Sequence, residues 1–109
     1  GGLEVWDAHF GVGPIIAEQM ANRAVELAKT HGIACVALRN NSHWLRAGRY
    51  GLMMADAGMM GLCMTNTAMN LVAYGAKEPS TGNNPITIAI PRKAGSLVMD
   101  MAVEVEIMR

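Results

Sequence analysis

Apolar and polar positions repeat with two different periods along this chain, and the switches between them mark its elements. Leu3, Glu4, Val5 and Trp6 alternate weakly, as a short or edge strand does, and residues 7–13 are turn-forming. From Pro14 the period lengthens. Ile16, Met20, Ala24 and Leu27 recur at helical spacing with Ala17, Ala21 and Ala28 beside them, while Glu18, Gln19, Asn22, Arg23 and Glu26 take the other face. Gly13 and Pro14 suit the start of such a helix, because its first residue needs no backbone donor. Lys29 and His31 suit the negative end of the helix dipole, and Gly32 a left-handed cap.

Residues 33–38 are apolar without interruption, which predicts a strand covered on both faces. Residues 47–57 predict a second helix with Tyr50, Met53 and Met54 inward and Gly58 ending it, and residues 60–64 another buried strand. The first two thirds therefore run strand, helix, strand, helix, strand, an α/β order. Residues 66–84 make a long polar loop, of a length that in a compact domain is functional or disordered. Residues 85–91 predict a strand bracketed by prolines, 92–95 a turn, and 96–102 its hairpin partner. That last strand carries one carboxylate, Asp100, in an apolar setting, and burial without a partner is costly, so a partner is expected.

At 109 residues, half of them apolar, the chain has the size of a single domain, 1–109, with one core. Nine basic residues balance nine acidic ones. A neutral chain lacks the one-signed field that nucleic acid or an anionic membrane requires, which leaves small molecules or protein partners. No apolar run reaches a membrane span, and the first residues have no signal-peptide pattern, so a cytoplasmic protein is expected. Cys35 and Cys63 each lie in an apolar run without metal-ligand spacing and read as buried thiols; no metal site is visible. Met53, Met54, Met59, Met60 and Met64 read as core filler. The opening Gly-Gly and the apolar and acidic mixture at residues 103–108 read as parts of something longer.

Chemistry concentrates in residues 40–51, Asn-Asn-Ser-His-Trp-Leu-Arg-Ala-Gly-Arg-Tyr-Gly. His43 follows the end of a strand, the edge of an α/β sheet where ligands bind, and an imidazole exchanges protons near neutral pH. Arg46 and Arg49 could hold a carboxylate or phosphate, or stand as solvated helix-start arginines. Thr65, Asn66 and Thr67 end a strand in the same way. Gly11-Val12-Gly13 has the place of a dinucleotide fingerprint but not its content: the third glycine position is Ile16, Pro14 lacks a donor, and the second strand ends in Leu38-Arg39 without a ribose-binding acid.

Residues 38–51, the run Gly-Leu-Cys-Met-Thr-Asn-Thr at 61–67, Tyr74-Gly75-Ala76-Lys77-Glu78 with Gly82-Asn83-Asn84-Pro85, and Val98-Met99-Asp100-Met101-Ala102 together resemble, in order and spacing, the type 2 malate/L-lactate dehydrogenase family. The wording is most similar to its 2,3-diketo-L-gulonate reductase and ureidoglycolate dehydrogenase branches. The resemblance implies reduction of a 2-oxo acid with NAD or NADP, on a non-Rossmann NAD(P)-binding sheet flanked by helices, in a cytoplasmic homodimer. It further implies that the chain is a central portion of the cofactor-binding domain of a longer enzyme, with little activity alone. Carried over, His43 matches the histidine that contacts substrate and acts as acid or base; Thr67 and Ser96, Leu97, Val98, Met99, Asp100, Met101 and Ala102 match positions lining the cofactor. Asn83 stands where the family usually has a threonine near the substrate. The family's N-terminal Ser-His-Gly motif and the arginine after it have no counterpart, and residues 104–109 depart from its small polar residues. From the residues alone, a non-catalytic dinucleotide-binding or oligomerisation module is the alternative.

Overall fold

The structure is a computed structural model that describes residues 1–103; the departure at residues 104–109 lies outside the described residues. Strand β1 (Leu3–Asp7), helix α1 (Gly13–His31) and strand β2 (Cys35–Arg39) form one unit in which the two strands run parallel, Leu3 opposite Cys35 and Asp7 opposite Arg39. The alanine stripe explains the packing of α1: Ala17 and Ala21 are buried with Leu27, and small side chains let the helix come close to its neighbours. Pro14 sits in its first turn, and Gly32 stops it at φ +83° with its N–H on Ala28 O at 2.8 Å. Arg23 reaches from α1 to the Glu4 carboxylate at 2.6 Å and holds that carboxyl below its usual range.

The second unit is helix α2 (Gly48–Asp56) on an antiparallel sheet of β3 (Gly61–Met64), β4 (Pro85–Ile90) and β5 (Leu97–Ala102), in the order β3-β4-β5. Here the α/β fold departs from a single continuous sheet: among the described residues the parallel pair and the antiparallel three are separate, and α1 against α2 joins them. The core lies at that joint, with Ala17, Ala21, Ala47, Tyr50 and Cys63 buried and Trp44, Met53 and Met54 packed on it. Tyr50 is 1% exposed, its ring tilted against Trp44 at 5.6 Å between centroids.

Two expected coverings are only half made. In β2, Val36 and Leu38 are partly buried but Cys35 and Ala37 are exposed, and Ile33 lies before the strand, also exposed. In β3, Gly61 and Cys63 are buried while Leu62 and Met64 are exposed, and Met60 lies before the strand, also exposed. Each sheet has a helix on one face, so an uninterrupted apolar run here means two apolar faces and one cover. Strand register puts Leu62, Ile88 and Met99 in line, with Met64, Ile86 and Met101 beyond them and Ile90 with Leu97 on the other side. The outer face of the three-stranded sheet is therefore aliphatic throughout, and no described element covers it. The polar loop folds back on itself, Leu71 bridging Thr81, with Ser80 N on Leu71 O at 2.9 Å. Among the described residues no helix is long and apolar enough to cross a membrane.

Candidate functional site

The chain leaves β2 through Asn40, whose backbone is left-handed at φ +54° and whose amide donates to both oxygens of Asp7 at 3.2 Å. Two residues on, the Ser42 hydroxyl donates to Gly11 O at 2.5 Å and accepts from Gly13 N at 3.0 Å. A Cβ on Gly13 would run into the carbonyls of Ser42 and His43, so glycine is required by this approach. The Gly11-Val12-Gly13 turn is thus filled by the protein's own chain. The Gly13 donor is spent on Ser42 and so is not free for a phosphate. Asn41, between Asn40 and Ser42, has its Oδ1 buried without a hydrogen-bond partner among the described residues.

His43 comes next and is exposed. Its Nδ1 accepts the N–H of Leu45 at 2.9 Å, a contact made by the left-handed backbone of Leu45 at φ +65°, a region that costs a leucine on the order of 1–3 kcal/mol. A neutral imidazole whose Nδ1 lone pair is occupied carries its hydrogen on Nε2. That hydrogen is free to donate to a carbonyl oxygen. The Trp44 carbonyl accepts the Tyr50 hydroxyl at 2.5 Å, and burial pushes the Tyr50 phenol upward, so it stays a donor. Of the arginines, Arg49 pairs with Glu18 of α1 at 2.7 Å, whereas Arg46 extends into solvent with Nε 3.7 Å from Asp100.

Asp100 is exposed rather than buried, yet both of its carboxylate oxygens have partners. Oδ2 accepts the N–H of Gly48 at 3.0 Å, and Oδ1 accepts the hydroxyl of Thr87 at 2.7 Å. Thr87 is fully buried and sits directly opposite Asp100 on the neighbouring strand. Sequence reading passed it over, although a lone hydroxyl in an aliphatic strand is a signal. The stretch from Ser96 to Ala102 does not act as one line of contacts: Val98, Asp100 and Ala102 face α2, and Leu97, Met99 and Met101 face outward. Ser96 bonds Asp56 at the far end of α2 at 3.3 Å, about 14 Å from Asp100 by the rise of a strand.

Thr67 and Asn83 come together at the opposite end of the sheet from Ser96. Thr67 Oγ1 accepts Asn84 N at 3.3 Å, and the Asn83 carbonyl accepts Val103 N at 3.0 Å. A Cβ on Gly82 would strike the Thr67 hydroxyl, so the loop closes tightly there. Pro85 opposes Ala102, which puts Thr67, Asn83 and the last residues of β5 at one edge. Gly48, five residues after His43, ties the start of α2 to Asp100 near that edge, while His43 makes no hydrogen bond to Thr67 or Asn83 among the described residues. The cysteines separate: Cys35 is exposed, contrary to the reading from its apolar run, while Cys63 is buried and its thiol is pushed up to about 11 by that burial. No group of three potential metal ligands occurs among the described residues.

The profile of the family described as malate/L-lactate dehydrogenase matches residues 1–105. A 2,3-diketo-L-gulonate reductase of Haemophilus influenzae is 46% identical over 91 residues, which are 84% of this chain and 27% of that protein. One of Klebsiella oxytoca is 47% identical over the same shares. Among solved structures, malate dehydrogenase of Pyrococcus horikoshii OT3 superposes with a TM-score of 0.90 at 36% identity, covering 97% of this chain and 31% of that one. Sulfolactate dehydrogenase of Methanocaldococcus jannaschii gives 0.86 at 32% identity, covering 94% and 30%. The chain spans 27% of the length of the curated relatives it matches.

Proposed function

The chain belongs to the malate/L-lactate dehydrogenase family, and on that premise we propose that it is part of an oxidoreductase that reduces a small 2-oxo acid to the 2-hydroxy acid with NAD or NADP. The observation that carries the reading is the bond from Leu45 N–H to His43 Nδ1, which leaves the Nε2 hydrogen free on an exposed ring. Directed at the oxygen of a 2-oxo group, that hydrogen polarises the carbonyl, and the proton that the new alkoxide takes up comes from the doubly protonated ring, which gives up its Nε2 hydrogen and reverts to neutral imidazole. Full protonation of the ring puts a hydrogen on Nδ1 and breaks the Leu45 contact, so proton exchange and loop geometry are coupled.

A nicotinamide held at the sheet edge would supply the hydride. The groups at that edge fit it: Thr67, Asn83 and Asn84 offer hydroxyl and amide donors and acceptors, the chemistry of ribose hydroxyls and a carboxamide. Thr67 and the end of β5 at Met101 and Ala102 would line the cofactor, and Asn83 would meet the substrate. Residues 1–109 would form one portion of a cofactor-binding domain, in a cytoplasmic homodimer.

The test is His43→Gln in a subunit of the relatives' full length that carries this chain, assayed by nicotinamide absorbance with a panel of 2-oxo acids. Turnover should fall roughly a hundredfold to ten-thousandfold with cofactor affinity little changed; unchanged turnover overturns the assignment. The aliphatic outer sheet face favours a second reading, a non-catalytic dinucleotide-binding or oligomerisation module. Fluorescence titration of that same subunit with NADH and NADPH separates the two, since binding without turnover of any 2-oxo acid would select the module.

A further inference from the structure

We infer that Asp100 is a positioning residue for His43, acting through the start of α2. The helix has no cap of its own: the residue before it is Ala47, and its first turn contains no acid. Its first N–H, that of Gly48, is instead taken by a carboxylate 52 positions away in β5. This side chain supplies both things a helix start lacks, an acceptor for an orphan donor and a negative charge against the positive end of the dipole.

The carboxylate is itself oriented. Thr87, fully buried, donates to Oδ1 and so turns Oδ2 toward Gly48. The fit leaves no room for a side chain at Gly48, where a Cβ would lie 2.5 Å from Oδ2. From that fixed point only residues 44–47 separate the helix from His43, and they are tied inside the span by the Tyr50 hydroxyl on the Trp44 carbonyl. On the other side Ser42 is bonded to Gly11 and Gly13. His43 therefore sits between two anchors, one on α1 and one held by Asp100, and the Leu45 N–H meets its ring only while both hold.

This inference rests on the reading that His43 meets the substrate, but its test does not depend on turnover. The nitrogen-15 resonances of the His43 ring, in a subunit of the relatives' full length that carries this chain, report which nitrogen carries the hydrogen. The native chain should show a single tautomer with hydrogen on Nε2. Asp100→Ala should mix the two tautomers and speed hydrogen exchange at the Gly48 amide at least about tenfold. Asp100→Asn should restore both signals, because its amide can accept from Gly48 and donate to Thr87. Should Asp100→Ala fail to fold, Thr87→Val, which removes only the orienting hydroxyl, should shift the ring signals in the same direction. A ring signal unchanged in Asp100→Ala or in Thr87→Val, or an Asp100→Asn chain that behaves like Asp100→Ala, overturns the positioning role. In the full-length subunit, the same Asp100→Asn chain should keep its cofactor KM. A raised cofactor KM with native ring signals would mark Asp100 as a cofactor contact and overturn the positioning role, leaving the assignment of His43 to stand or fall on His43→Gln.

Discussion

Cys35 and Cys63 stand in equally apolar stretches, yet one faces solvent and the other the core. What separates them is which strand face a helix covers, a tertiary fact that no local window of sequence contains. Their chemistry should differ accordingly. With its thiol held to about 11 against 9.0 for an ordinary one, Cys63 should react with a thiol reagent at least about a hundredfold more slowly than an unhindered cysteine, and Cys35 should react first. Mass spectrometry of timed labelling checks the order. The linkage sign is definite: between about pH 9 and 11 the unfolded thiol has lost its proton and the folded one keeps it, so stability falls as pH rises through that window. Urea midpoints measured across it should decline, and the decline should shrink in Cys63→Ala. At this same scale the need of Asp100 for hydrogen-bond partners was legible from its residue type. Thr87 was within reach too, since counting outward from a turn at residues 92–95 brings it opposite Asp100.

At the scale of elements the sequence specified most of the fold, because α1 announces itself through a long apolar period with a proline at one end and glycine at the other. The short helix α2 was legible as well, and its interior Gly51 shows what the period alone omits. A glycine inside a helix normally gives way to alanine with a gain of roughly 0.5–1 kcal/mol. Here the added methyl would lie 2.8 Å from the Thr87 methyl and 3.2 Å from that of Ala89. Gly51→Ala should therefore cost about 1–3 kcal/mol, read as a lower urea midpoint, because the helix must lift from the sheet to accept it. A gain in stability would mean that α2 does not rest on β4 this closely. The covering of β2 and β3 was not legible, since an apolar side chain on an open face and one on a closed face are the same letter.

For the whole molecule, the aliphatic outer face of β3, β4 and β5 outweighs the balanced surface charge. Leu62, Met64, Leu97, Met99 and Met101 are each between 42% and 61% exposed, forming one continuous patch of the kind that drives association. The isolated 109-residue chain should bind a hydrophobic dye strongly and sediment as more than a monomer, and a Leu97→Lys, Met99→Lys chain should do both less. Equal dye binding by that variant would show the patch to be closed. The division into two sheets was hidden from sequence reading because the order strand, helix, strand, helix, strand is also that of a single parallel sheet. The remote cap on α2 has one more consequence, in time. A helix of nine residues is marginal without tertiary support, and the group that completes its first turn belongs to the last strand. The histidine loop is synthesised before β5 and cannot settle until β5 has emerged and docked. The His43 ring is made well before the carboxylate that fixes the helix beside it.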